Sequence, residues 1–134
     1  MLKLFFTLGA LVFLGACNKE TLTPETLNSD WQVRKLGTKD VSKFNATLTL
    51  DIDRKSATGT SGCNSYGAII NIALKEQTIS FANIVSSKLN CKNENALFEI
   101  DFFDALKKVK YYKLTDKNTM KLTAADGGFI EMQK

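Results

Sequence analysis

The stretch Ser56-Ala-Thr-Gly-Thr-Ser-Gly-Cys-Asn-Ser-Tyr66 decides how this chain is read. It packs two glycines, a cysteine and an asparagine between two strand-like runs, so it describes a tight corner. Gly and Asn tolerate positive φ, and Asn can bond its own backbone. Gly59, Gly62 and Asn64 therefore read as turn chemistry, with a ligand-binding nest as the functional alternative. Cysteine is scarce, at Cys17, Cys63 and Cys91 only. A Cys63–Cys91 disulfide would staple the corner and add about 3.5 kcal/mol by restricting the unfolded chain. The alternative is a redox or metal site. The chain has no His, zinc wants four ligands, and the two thiols lie far outside redox-motif spacing.

Outward from the corner, period-two patterning dominates. In Ala46 to Asp53, Ala46, Leu48, Leu50 and Ile52 face one way and Thr47, Thr49, Asp51 and Asp53 the other. Trp31 and Val33 open an earlier strand, and Gly37 to Lys43 reads as a polar loop. After the corner, Ala68 to Leu74, Thr78 to Ala82 and Ile84 to Leu89 alternate in turn. Then the period changes. Phe98, Phe102, Ala105, Leu106 and Val109 fall on one face of a helix spanning about Glu94 to Lys110, with Asn93 as the candidate N-cap. Beyond it, Tyr112 and Leu114, then Met120, Leu122 and Ala124, then Ile130 and Met132 predict a three-strand meander. Eight or so short strands on short connections must be mostly antiparallel. The expected fold is α+β and mostly β: a curled antiparallel sheet or partly open barrel with one late helix.

Net charge is +4 and the lysines are scattered, so no nucleic-acid footprint is expected. The lack of His removes the commonest general base and metal ligand. No nucleophile–base pair stands out, so the expectation is a non-enzymatic protein with no cofactor and no metal. Asp51 and Asp53 share a strand face. That reads as a solvated face, with acid–base or cation chemistry as the alternative. Tyr66, Tyr111 and Tyr112 read as half-buried strand aromatics or, alternatively, as stacking platforms. Ala96, Ile100 and Phe103 form a second apolar stripe on the expected helix. Either the chain's own segments bury Ile100 and Phe103, or the pair is a partner-docking surface.

At the N-terminus, Lys3 precedes an apolar run from Leu4 to Leu14, too short to span a bilayer and laid out as a secretory signal. It ends Leu14-Gly15-Ala16-Cys17, which resembles the lipobox of bacterial lipoproteins, in which the Cys becomes the acylated first residue. The expected organisation is a signal peptide at 1–16, a lipidated N-terminus and tether at 17–30, and one domain at 31–134.

The pattern Trp31 … Gly59-Thr60-Ser61-Gly62-Cys63-Asn64-Ser65-Tyr66 … Ser87-Lys88-Leu89-Asn90-Cys91 … Phe98 … Leu106 … Val109 … Leu114 … Leu122 resembles the META/HslJ-like domain of bacterial envelope proteins. The motif residues are Gly62, Cys63, Asn64 and Tyr66. Ser87 and Leu89 stand where the family has Thr and Met. The resemblance implies a β-rich fold with one helix, an envelope location and links to heat and envelope stress, without a known reaction. The expectation is a membrane-anchored envelope lipoprotein, the outer membrane foremost. The alternative is a binding module for a small apolar ligand or a periplasmic protein partner, held by the curled sheet.

Overall fold

A computed structural model describes Gly15 and residues 23–134. The expected signal segment (Gly15 apart), the Cys17 lipidation site and residues 18–22 lie outside the described residues. The period-two runs form nine antiparallel strands: β1 (Asp30–Leu36), β2 (Lys39–Asp40), β3 (Thr47–Asp51), β4 (Ser56–Thr60), β5 (Ser65–Ala73), β6 (Thr78–Ser86), β7 (Val109–Asp116), β8 (Thr119–Ala124) and β9 (Phe129–Gln133). They are ordered β2-β1-β3-β4-β5-β6-β7-β8-β9. The first half of β1 pairs with β3, Asp30 opposite Thr49 and Gln32 opposite Thr47. Its other edge pairs with β9 from Gln32 to Leu36. That last ladder closes eight strands into a barrel and removes the edges that an open sheet would present. The two-residue β2 is an appendage of β1, formed where the sequence reads as a polar loop.

Two expected strands, Thr78 to Ala82 and Ile84 to Leu89, are one. β6 runs through the first and on to Ser86 in the second, leaving residues 87–89 outside the strand, and Asn83 takes a left-handed φ of 51° that absorbs one extra residue opposite Gly67 and Ile69. An asparagine tolerates that conformation, so the pattern breaks without the strand ending. The barrel is thinnest between β6 and β7, which share one paired position, Thr78 with Tyr111. The amide of Tyr112 also donates to the Gln77 carbonyl there at 3.1 Å.

The barrel interior is filled. Trp31, Leu48, Ile70, Met120, Leu122 and Met132 are fully enclosed, as alternation along each strand dictates. The end of the barrel where the chain enters is covered by a one-turn helix, α1 (Pro24–Leu27). Leu27 joins the core, its carbonyl accepts a bond from Trp31 Nε1 at 3.1 Å, and Asn28 Oδ1 accepts one from the Ile52 amide at 2.8 Å. Residues from Pro24 onward thus belong to the folded unit, although their polar composition reads as tether. The other end is covered by α2 (Asn93–Lys108), which lays Phe98, Phe102 and Leu106 on the core. Phe44 stacks on Phe98 at 4.3 Å, and Phe98 on Phe102 at 5.6 Å. Asn93 does not cap this helix. It has a positive φ of 45°, the cap position falls on Lys92, and no side chain caps the first turn. The helix stops at Lys108 because Val109 is already paired in β7.

Candidate functional site

The motif corner lies between β4 and β5, under the start of α2. Ser61 is fully buried and Asn64 nearly so. The Asn64 side-chain amide is consumed on every side. Its Nδ2 lies 2.9 and 3.0 Å from the two Glu99 carboxylate oxygens and 3.2 Å from Cys91 Sγ. Its Oδ1 accepts from Ser87 Oγ at 3.1 Å and from the Leu89 amide at 2.8 Å. Ser61 Oγ donates to the same Glu99 carboxylate and accepts from the Asn64 amide. The Ser61 amide donates to the Asn64 carbonyl at 2.8 Å. One asparagine therefore ties together the turn, the segment before the helix, and the helix itself. Buried polar groups are tolerated only when paired in this way, and a carboxylate acceptor strengthens each bond.

Around this bracket, the Cys63–Cys91 disulfide is present, with Cα atoms 5.9 Å apart. Gly62 has φ of +89°, and a Cβ there would collide with the Phe44 carbonyl. A Cβ on Gly59 would collide with the Thr47 carbonyl. Tyr66 Oη donates to that Thr47 carbonyl at 2.7 Å, and its ring meets Phe102 and Phe103 edge-on. Burial pushes the Tyr66 phenol far above its ordinary value. All four motif residues are thus committed to holding the corner. Ser61 and Glu99 form a hydroxyl–carboxylate pair, but the serine oxygen is sealed inside the protein and faces no substrate.

The other sequence candidates separate. Asp51 accepts from the Arg54 amide at 3.0 Å and closes the β3–β4 turn, while Asp53 is exposed beside it. Among the described residues no cluster of His, Cys, Asp and Glu could hold a metal ion. Tyr112 is buried in the core, and Tyr111 is half exposed at the β6–β7 seam. Ile100 and Phe103 do not act as a pair. Ile100 is 58% exposed, whereas Phe103 packs edge-on against Tyr66 at 5.3 Å.

Open space lies on the other flank of α2. A groove of about 590 Å³ runs between that helix and the barrel end formed by the β1–β2 and β8–β9 turns. Core side chains, including Phe44, Phe98, Val109 and Ile130, form its floor. Leu97, 66% exposed, stands on the helix wall, opposite Leu36 and Phe129. At one end, Lys43 bonds Glu94 at 2.9 Å. The bond and charge of Lys43, helped by Lys39, hold the Glu94 carboxyl below its ordinary value. Farther along the helix wall stand Asp101 and Asp104, with Asp126 across from the helix end.

The family model for the META domain matches residues 20–134. The chain belongs to the META domain family. Solved structures share the fold at low identity. A protein from Burkholderia xenovorans, solved by NMR, superposes with a TM-score of 0.62 at 16% identity, over 94% of this chain and 97% of that one. A duf4847 family protein from Bacteroides vulgatus gives 0.59 at 14% identity, over 81% and 93%. A further NMR structure gives 0.64 at 16% identity, over 84% and 94%. No curated protein matches the sequence. In this META domain, sequence reading found Gly62, Cys63, Asn64, Tyr66 and Cys91. It placed Ser61 and Ser87 in the pattern without giving them a role, and it missed Glu99. A signal for Glu99 was present: a carboxylate directly beside Phe98, on the inward flank of the helix. Ser87 keeps the hydroxyl of the Thr expected there, and that hydroxyl is what Asn64 uses.

Proposed function

We propose that this META-domain chain is a non-enzymatic lipoprotein of the cell envelope, anchored through Cys17, that serves heat or envelope stress tolerance by binding another envelope component. The observation that carries the non-enzymatic reading is the bracket: the polar side chains of the motif corner are spent on one another. The order of Lys3, the apolar run and Leu14-Gly15-Ala16-Cys17 supports the anchor. Several acyl chains at about 0.8 kcal/mol per CH₂ would make it durable. The test is metabolic labelling with a fatty acid, followed by membrane fractionation, of the wild type and Cys17→Ser. Label and membrane retention that vanish together in the variant are expected. Retention without label, unchanged in Cys17→Ser, removes the anchor from the reading.

A second reading, a binding module, is favoured by the groove beside α2. The filled barrel leaves an apolar ligand no room inside the sheet, so binding would take place in that groove at the barrel end, within the usual range of about 300–1,000 Å³ for ligand clefts.

A further inference from the structure

We infer that the groove along α2 binds a short linear peptide with apolar side chains and free termini, its carboxylate toward Lys39 and Lys43 and its ammonium toward Asp101 and Asp104. This deepens the binding reading above and rests on it.

The groove is electrically bipolar. At the start of the helix two lysines, Lys39 and Lys43, face one carboxylate, Glu94. Toward the helix end the lining carries Asp101, Asp104 and Asp126 against Lys108, with Lys107 pairing Asp104 at 3.7 Å, so three carboxylates face two lysines and Asp101 is the carboxylate left for a ligand's ammonium. One end is thus net positive and the other net negative, over an apolar floor. An apolar zwitterion complements that layout, whereas a simple anion, a simple cation or a neutral lipid tail meets at most one half of it.

Length selects the size. Glu94 and Asp104 are ten residues apart on α2, about 15 Å along the axis. An extended peptide covers about 3.3–3.6 Å per residue, so four or five residues match that span. Leu97 on one wall and Phe129 on the other offer apolar surface to side chains between the two ends.

The chain's own tether is a poor occupant. Residues enter the barrel at Asp30, and the groove begins at Leu36 and Gly37, the far end of β1. Strand β1 separates the two by about 20 Å. From Thr23 back to Cys17 the chain reaches about 22 Å at most, so a fully stretched tether would bring only Cys17, the residue assigned to the lipid, to the groove mouth.

The test is calorimetric titration of the full-length chain, in lipid nanodiscs, with the tetrapeptide Ala-Leu-Leu-Ala and its N-acetylated and C-amidated forms. The free peptide is expected to bind. Blocking either terminus should weaken binding about fivefold, as a partly exposed charge pair would. Asp101→Asn with Asp104→Asn should erase the penalty for acetylation alone, and Lys39→Gln should lessen that for amidation alone. No saturable binding, equal affinity for free and blocked peptides, or penalties unchanged in the variants would each overturn the inference. Two further readouts keep the two proposals apart. The mass of Cys17 reports the lipid independently of peptide binding, and the recovered mass of the peptide reports any hydrolysis.

Discussion

Helix α2 has two flanks that differ in kind. On one, Glu99 enters a buried knot with Ser61 and Asn64, beside a disulfide, and every polar atom described there has a partner. On the other, Asp101, Asp104 and Leu97 look into open space of about 590 Å³. The first flank carries the recognisable motif and the second carries none. The motif marks where the fold is held. Backbone corners demand particular residues: a glycine where a Cβ collides, an asparagine where four partners converge. A groove over a core floor demands only that apolar side chains face inward and charges face out.

The contrast predicts that the motif flank governs stability and the groove flank does not. The largest effect expected is from the disulfide. Replacing Cys63 and Cys91 together with Ala should lower unfolding free energy by about 3.5 kcal/mol, read from denaturant midpoints, with the native spectrum retained in the absence of denaturant. A loss below about 1 kcal/mol would show that the hydrogen-bonded knot holds the corner unaided.

Gly62→Ala comes next. It forces an L side chain into φ of +89° against the Phe44 carbonyl, and should cost about 2 kcal/mol. A neutral Gly62→Ala would mean that the turn can relax, which the close approach of the two backbones argues against.

Alkaline pH gives a third probe. Burial raises the folded-state value of Tyr66 above its ordinary 10.0, so the folded protein keeps a proton that the unfolded chain releases. The stability from this residue is complete below pH 10 and declines as pH rises beyond it, by about 1.4 kcal/mol per pH unit for one retained proton. Tyr66→Phe should flatten that decline in urea midpoints measured across the alkaline range. A decline of the same slope in the variant would assign it elsewhere.

The smallest effect is expected in the groove. Asp101→Asn should change stability by no more than about 0.5 kcal/mol, because an exposed carboxylate on a helix surface contributes little. A larger loss would make the groove wall structural and blur the contrast between the flanks.

Much of the fold is legible in the sequence, for a physical reason. Alternation along Ala46 to Ile52 and the stripe through Phe98, Phe102 and Leu106 are direct consequences of burying one face of a strand or helix. Closure of the barrel was not legible, because the pairing of β1 with β9 joins residues a hundred positions apart and leaves no local mark. Nor was the single run of β6, since the left-handed Asn83 looks locally like a break. Leu27 was hidden inside a polar stretch and became core only because Trp31 folds back on it. At the site, Asn64 and Tyr66 stood out because Gly62-Cys63-Asn64-Ser65-Tyr66 resembles the family's motif. Glu99 did not, since a glutamate on a helix is ordinary until its neighbours are known. The second apolar stripe split for the same reason: Tyr66, distant in sequence, covers Phe103 and leaves Ile100 in water.

The most direct test is a double-mutant cycle between Asn64 and Glu99, with unfolding free energy measured for the wild type, Asn64→Ala, Glu99→Ala and the double variant. If the motif asparagine works by tying the corner to α2, each single change destabilises the protein. The double change should then cost about 2 kcal/mol less than the sum, because the shared charge-assisted bonds are lost only once. Additivity within about 0.5 kcal/mol would show the two side chains to be energetically independent and would contradict the bracket.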